Sequence, residues 1–389
     1  MKKVLILGCN GITEYIVPKL LVAPAVEEII IASRDKAECD EFKKQYSGGK
    51  TRITTARVDL DNEQGTRMML SIVNPDLIVN LIPEKFSLTV MKLALENDAD
   101  YIDGNLYNWR DGDLLAEQFS LFGQFREKNK AAITGCCTDP AILTSIARQA
   151  ARDDFDSVDS AEFYEINLIE DLDVKSDAVY ITGGKQASCP ALSEKIPAGD
   201  SFEPFAGMNL FLSDRPVVRD YIKEIPGITE VRCYVSCDVT ELPDYTEELN
   251  KIGMLSDEPV EIFPGVTLSP RRFWELYQNQ KTATAGKALG RVCGAGVTLT
   301  GTKSGSALRE FIYFTGDNKK SQDDYKMPAM KLFDACAILA GIKLMIAGKW
   351  LKSGVFTPTA FDPDMLIREL RSADIEIKHA VLSDASAES

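Results

Sequence analysis

A chain of 389 residues has the length of two or three domains and can bury a sizeable core. Its 45% hydrophobic and 26% charged content is that of a globular protein, and a net charge of -15 argues against nucleic acid or an anionic membrane surface as main partner. One histidine and nine scattered cysteines, with no C-x-x-C pair, exclude the usual Cys/His zinc site, so no metal is expected and the thiols fit a reducing cytoplasm.

The first strand, Val4-Leu5-Ile6-Leu7, runs into Gly8-Cys9-Asn10-Gly11-Ile12-Thr13. Measured against the dinucleotide fingerprint G-x-G-x-x-G, Gly8 is in place, Asn10 stands at the second glycine and Thr13 at the third. Such a loop binds pyrophosphate because unpaired N–H groups point from the helix N-terminus. Asn10 is the best substitute for glycine at positive φ, and Gly11 can supply close backbone approach. Thr13 can cap the helix or donate to a phosphate. An ordinary strand–turn–helix start without ligand is the plain alternative. Pro18 falls inside the first helix and should kink it.

Glu28-Ile29-Ile30-Ile31-Ala32 is the second strand, followed by Ser33-Arg34. An arginine here accommodates a 2′-phosphate, which favours NADP; Asp35 keeps NAD as the alternative. A third strand, 53–58, leads to Asp59 and Leu60, an acid–apolar pair placed to line an adenine pocket or to cap the helix from Asn62. Residues 77–82 form a fourth strand, ended by Pro83, and a helix follows over 87–97. Tyr101-Ile102-Asp103 and residues 131–134 complete the alternation, which defines a doubly wound parallel α/β domain.

After Gly135-Cys136-Cys137-Thr138-Asp139-Pro140 a helix is expected over 141–152. Residues 160–169, 231–239, 297–299 and 309–315 then read as strands of an antiparallel sheet. A long apolar helix spans 327–349, but Asp334 and Lys343 interrupt it, so it is too short and polar to cross a bilayer. Residues 365–372 form a last helix, and the small polar tail from Leu382 is expected to be disordered. Met1-Lys2-Lys3 opens a strand rather than a signal peptide.

In order and spacing, several of these segments resemble the saccharopine dehydrogenase family: 4–11, Ala32-Ser33-Arg34, Asn80-Leu81-Ile82-Pro83, Tyr101-Ile102-Asp103, Gly135 with Asp139-Pro140, and 348–363. The resemblance covers 1–150 and 325–380 well and the middle weakly. It implies a Rossmann domain at 1–150, an inserted mixed-sheet substrate and dimerisation domain at 151–325, a C-terminal segment at 326–380 packing back on the first, and a tail at 381–389. It implies a homodimer and an NADP-dependent oxidoreductase. The reaction would be reduction of an imine made from an amino compound and a carbonyl, or oxidation of the secondary amine. The substrate would be a small amino-acid or polyamine-type molecule, with neither nucleic acid nor membrane as partner. Gly8, Asn10, Gly11, Ile12, Thr13, Ser33, Arg34, Asp59, Leu60, Leu81, Ile82 and Pro83 are the cofactor candidates. Asp139 and Asp103, just past strand ends, are the catalytic candidates, although a helix cap and a turn explain them too. Cys136 and Cys137 read as small buried hydrophobes. Arg271, Arg272 and Lys185 could meet a substrate carboxylate. Ala141 replaces a family glycine, and 317–320 lacks the family's His-Glu pair, so an NADPH sensor or a homologue without turnover is the alternative.

Overall fold

The computed structural model describes residues 2–46, 51–104, 114–166, 177–190, 195–197, 209–213, 225–236, 249, 251–254, 256, 258–271, 273–274, 292–373 and 375–382. Apolar runs from the first third build β1 (Lys2–Leu7), β2 (Val26–Ser33), β3 (Arg52–Arg57), β4 (Leu77–Asn80), β5 (Asp100–Asp103) and β6 (Ala131–Ile133). Their neighbours are all parallel, in the order β6-β5-β4-β1-β2-β3. The central strands β1 and β4 are buried on both faces, which explains why they read as continuous apolar segments rather than alternating ones.

The crossovers are α1 (Gly11–Leu20), α2 (Lys36–Lys44), α3 (Glu63–Val73) and α4 (Ser87–Glu96), then α5 (Leu114–Ser120) and α6 (Phe122–Glu127). Pro18 does not end α1. The carbonyl left without its helical donor is that of Glu14, an exposed residue. A wide turn over Thr138–Ile142, with a cis Asp139–Pro140 peptide, precedes α7 (Leu143–Asp153). Asp139 has extended backbone, so the regular helix starts at Leu143 rather than Ala141.

The second sheet contains β7 (Ser157–Ile166), β8 (Asp177–Thr182), β9 (Lys185–Pro190), β10 (Lys195–Pro197), β11 (Asn209–Leu212) and β12 (Glu230–Ser236). Beyond a separate hairpin, β13 (Val260–Phe263) and β14 (Val266–Leu268), it gains β15 (Val292–Lys303) and β16 (Ser306–Asp317). It is mixed, not antiparallel: β12 returns to lie parallel to β7, while β15 and β16 pair antiparallel. Strand patterning encodes which face is buried but not strand direction. Residues 167–169 and 237–239, expected as strand, lie outside the described residues.

The chain then forms α8 (Asn318–Tyr325), α9 (Ala329–Ile346), β17 (Gly354–Phe356), α10 (Pro363–Arg371) and β18 (Lys378–Val381). β17 joins the first sheet beside β6 as its seventh strand. β18 instead joins the second sheet against β16, and Leu382 is buried, so order extends past the start of the expected tail. Residues 383–389 lie outside the described residues. Fourteen of the eighteen residues of α9 are buried, and the main core cluster runs from β1 and β2 through α9 to β7, β12 and β15. This is the doubly wound fold with a second, mixed-sheet layer that the sequence implies. No helix among the described residues is long and apolar enough to cross a membrane.

Gly341 of α9 sits where a Cβ would come within 2.7 Å of both Cys136 Sγ and Ile102 Cδ1. Gly341→Val should therefore lower unfolding stability by about 1–3 kcal/mol through overpacking. Urea denaturation should show a lower midpoint with an unchanged slope; an unchanged midpoint would remove Gly341 as the packing contact.

Candidate active site

The strand order reverses at β1 and β4, because β1 is followed on one side by β2 and flanked on the other by β4. Ligands of open α/β sheets bind at such a switch point, outside the carboxyl ends of the strands. Gly8 leaves β1 with φ of 115°, and a Cβ there would stand 3.0 Å from the Leu81 carbonyl. Only glycine allows this turn so close to β4.

Asn10 is not a stand-in for a positive-φ glycine. Its backbone is extended (φ -142°), and it is the N-cap of α1, accepting from the Thr13 N–H through its side chain. Its Nδ2 donates to the Leu81 carbonyl at 3.0 Å, tying the loop to the end of β4. Thr13 is fully buried and its hydroxyl donates to the Gly8 carbonyl at 2.8 Å, so it braces the loop from behind and neither caps the helix nor faces a phosphate. Gly11 packs against Met327, and the Gly11 and Ile12 amides have no acceptor among the described residues. Two N–H groups are thus left open at the positive end of the α1 dipole.

At the end of β2, the Ser33 hydroxyl donates to the Asp35 carbonyl at 2.7 Å. The Asp35 carboxylate accepts from the Ala37 and Glu38 amides and so caps α2. Arg34 is exposed and makes no ion pair or hydrogen bond among the described residues. Past β3, Asn62 caps α3, while Asp59 closes a local turn and lies 3.8 Å from the Arg57 guanidinium. Leu60, Leu81 and Ile82 are half-buried and Pro83 is exposed.

Asp103 does not face the crevice. It is fully buried, and its oxygens accept from the Tyr101 hydroxyl, Thr134 Oγ1 at 3.0 Å, the Gly135 amide at 3.2 Å and Gln118 Nε2 at 3.3 Å. Tyr101 in turn accepts from Asn80 Nδ2 at 2.9 Å, and Asn80 Oδ1 accepts from the Ile82 amide. The carboxylate is the root of a network that fixes the crevice wall at Ile82. It is a positioning group rather than the catalytic one expected. Burial raises its pKa to about 6, against the lowering effect of these donors.

Asp139 is buried on the loop after β6, where the Cys137 thiol donates to the Asp139 carbonyl at 2.8 Å. Burial first, then the charges of Asp334, Asp139, Cys136 and Glu165, push the Cys137 thiol well above its ordinary range. Three carboxylates from three elements therefore surround this loop: Asp139 itself, Glu165 at the end of β7 and Asp334 on α9. Asp334 also accepts from the Thr138 amide at 2.9 Å and hydroxyl at 2.7 Å. Glu165 and Asp334 escaped sequence reasoning. The available signal was an acid interrupting an apolar helix at 334 and a glutamate between Tyr164 and Ile166 at 165. Cys136 is fully buried, as expected of a small hydrophobe, and burial drives its pKa upward. Lys185 is exposed on the β8–β9 turn, Arg271 has a buried Nε, and Arg272 lies outside the described residues.

Residues 4–133 match the family model of the saccharopine dehydrogenase NADP binding domain, which defines the first sheet as a dinucleotide-binding domain of that type. The whole chain has the fold of apo saccharopine dehydrogenase (L-Glu forming) from Saccharomyces cerevisiae, with a TM-score of 0.73 at 15% identity over 98% of this chain and 100% of that one. It is 22% identical over 388 residues to carboxyaminopropylagmatine dehydrogenase of Synechocystis sp., covering 95% of each chain. It is 21% identical over 371 residues to carboxynorspermidine synthase of Vibrio cholerae, covering 89% of this chain and 88% of that one. Residues 4–133 thus match that family's NADP binding domain, and the chain as a whole has the saccharopine dehydrogenase fold, as its ordered motifs imply.

The raised Asp103 pKa has a testable sign. The folded state holds this proton more tightly than the unfolded chain, so the contribution is stabilising below pH about 4 and is lost as pH rises through about 6. Between these limits wild type should lose up to about 3 kcal/mol that Asp103→Asn does not lose. Denaturant titrations of both proteins from pH 4 to 7 check this, and parallel curves would refute it.

Proposed function

We propose that the protein is an NADP-dependent oxidoreductase that reduces an imine formed from an amino compound and a carbonyl, or oxidises the corresponding secondary amine. The observation that carries this reading is the unpaired, exposed Arg34 at the end of β2, in line with the open Gly11 and Ile12 amides at the end of β1. Gly8, Asn10, Gly11 and Ile12 form the pyrophosphate cradle, and Thr13 holds it in shape. Ser33 and Arg34 are the 2′-phosphate contacts. The Asp35 carboxylate, committed to capping α2, does not compete for the ribose as it would in an NAD site. Asp59 and Leu60 flank the adenine side, and Leu81, Ile82 and Pro83 line the β4 wall.

The nicotinamide, when bound, supplies or takes up the hydride. The chain's own part is to hold the carbon–nitrogen bond, exclude water and manage one proton. With its one histidine on β18, the proton must fall to another side chain. Asp139 is our candidate for the group that holds or moves it at the substrate nitrogen. Its neighbours Glu165 and Asp334 make the surroundings anionic, which suits a cationic, polyamine-type amine. The names of the Synechocystis and Vibrio relatives point to the same substrate class. We further propose a cytoplasmic homodimer. The β13–β14 hairpin exposes Val260, Ile262 and Phe263 and offers an apolar surface for subunit contact.

Arg34→Ala should weaken NADPH binding by about 10–100-fold, the value of a charge-assisted contact, and change NADH binding little. Fluorescence titration with both cofactors reads this; equal losses for the two would overturn the NADP assignment. NADPH oxidation with a panel of di- and polyamines plus carbonyl compounds tests turnover. Tight NADPH binding without oxidation on any pair would instead favour the sensor reading.

A further inference from the structure

The chain's single histidine lies far in sequence from the dinucleotide loop, on the edge strand β18. Its Nδ1 is 2.8 Å from Glu310 Oε1 on β16. The carboxylate of Asp154, the C-cap of α7, completes a triad in which one ligand atom from each residue lies within 4.8 Å of the others. Glu310 is only 6% exposed, and His379 is its one partner among the described residues. Neither Glu310 nor Asp154 is paired with a lysine or arginine there. Two carboxylates thus converge, Asp154 half-buried and Glu310 buried beside the exposed His379, and burial raises the free energy of an uncompensated charge on Glu310. The site also sits at the negative end of the α7 dipole, which favours a cation.

We propose that Asp154, Glu310 and His379 form a binding site for a divalent transition-metal ion of the zinc–cobalt class. Imidazole plus two carboxylates is a donor set such borderline ions accept, with ligand bonds of about 2.0–2.2 Å. At that radius, donors in one shell lie about 3.0–3.5 Å apart, so the triad needs only a small contraction. Excluding a Cys/His zinc site does not bear on this set, because two of its three ligands are carboxylates. Its three ligands come from α7, β16 and β18. The ion would therefore fasten the C-terminal strand to the helix that leads out of the Asp139 loop.

Cobalt(II) titration of the full-length, chelator-treated protein tests the site. The expected result is one equivalent bound, with ligand-field bands in the visible and no thiolate-to-cobalt charge-transfer band. The second condition matters because the chain carries nine cysteines. His379→Ala and Glu310→Gln should each weaken binding at least about tenfold, and Lys378→Ala should leave it unchanged. A metal-dependent rise in melting temperature should appear in wild type and vanish in His379→Ala. A thiolate band, unchanged affinity in both variants, or absence of binding by folded wild-type protein would each overturn the assignment and leave a plain histidine–carboxylate contact.

Discussion

Helix α9 is apolar on nearly every face, and the rest of the structure is arranged to bury it. An all-round hydrophobic helix of this length has no amphipathic solution at a protein surface. Its burial joins the two sheets into one core. Gly341 lets it approach Ile102 of the first sheet and Cys136 on the loop after β6, and Phe333 packs edge-on against Phe314 of the second sheet at 4.8 Å. Tyr15 of α1 meets Cys336 at 3.1 Å. Each large side chain buried in this way is worth about 1.5–3 kcal/mol, so α9 outweighs any single polar contact in holding the sheets together.

The same helix carries an acid to the loop after β6. Asp334 is an acid in an otherwise apolar segment, and its bonds to Thr138 fix the loop that presents Asp139. The segment after β4 is set by the buried chain from Asp103 through Tyr101 and Asn80 to the Ile82 amide. Both segments are therefore held by polar groups removed from water. In that environment a satisfied network is rigid and an unsatisfied one is expensive, so the two segments are positioned rather than adaptable.

Much of the first domain was legible because a two-sided parallel sheet leaves long apolar runs, and β1, β2, β4 and β5 fall where such runs predict. The second sheet was less so. Residues 297–299 announced a strand, but β15 is twelve residues long. Glycines at 294, 296 and 301 dilute its β character. Packing explains two of them, since a Cβ at Gly301 would come within 1.9 Å of the Ser157 carbonyl and one at Gly296 within 2.6 Å of the Ile312 carbonyl. Sequence alone cannot see that Ser157 lies against Gly301. In the candidate site, the placement of the 8–13 loop after β1 and of Arg34 after β2 followed from local order. Asp103 was misassigned because position past a strand end says nothing about burial, and Glu165 and Asp334 emerge only when three distant elements meet.

The broken fingerprint shows how position and letter separate. The glycine pattern answers three requirements: a sharp turn, close backbone approach, and tight packing of helix on strand. Gly8 meets the first with its positive φ. For the others this chain uses side chains. Asn10 ties the loop to Leu81 and caps α1, and Thr13 bolts the loop to the Gly8 carbonyl. A glycine at either place would remove these bonds and add backbone freedom to be lost on binding. Asn10 and Thr13 therefore leave the open amides of Gly11 and Ile12 in place and hold the loop that carries them, so the departures from the glycine pattern are compatible with pre-organisation.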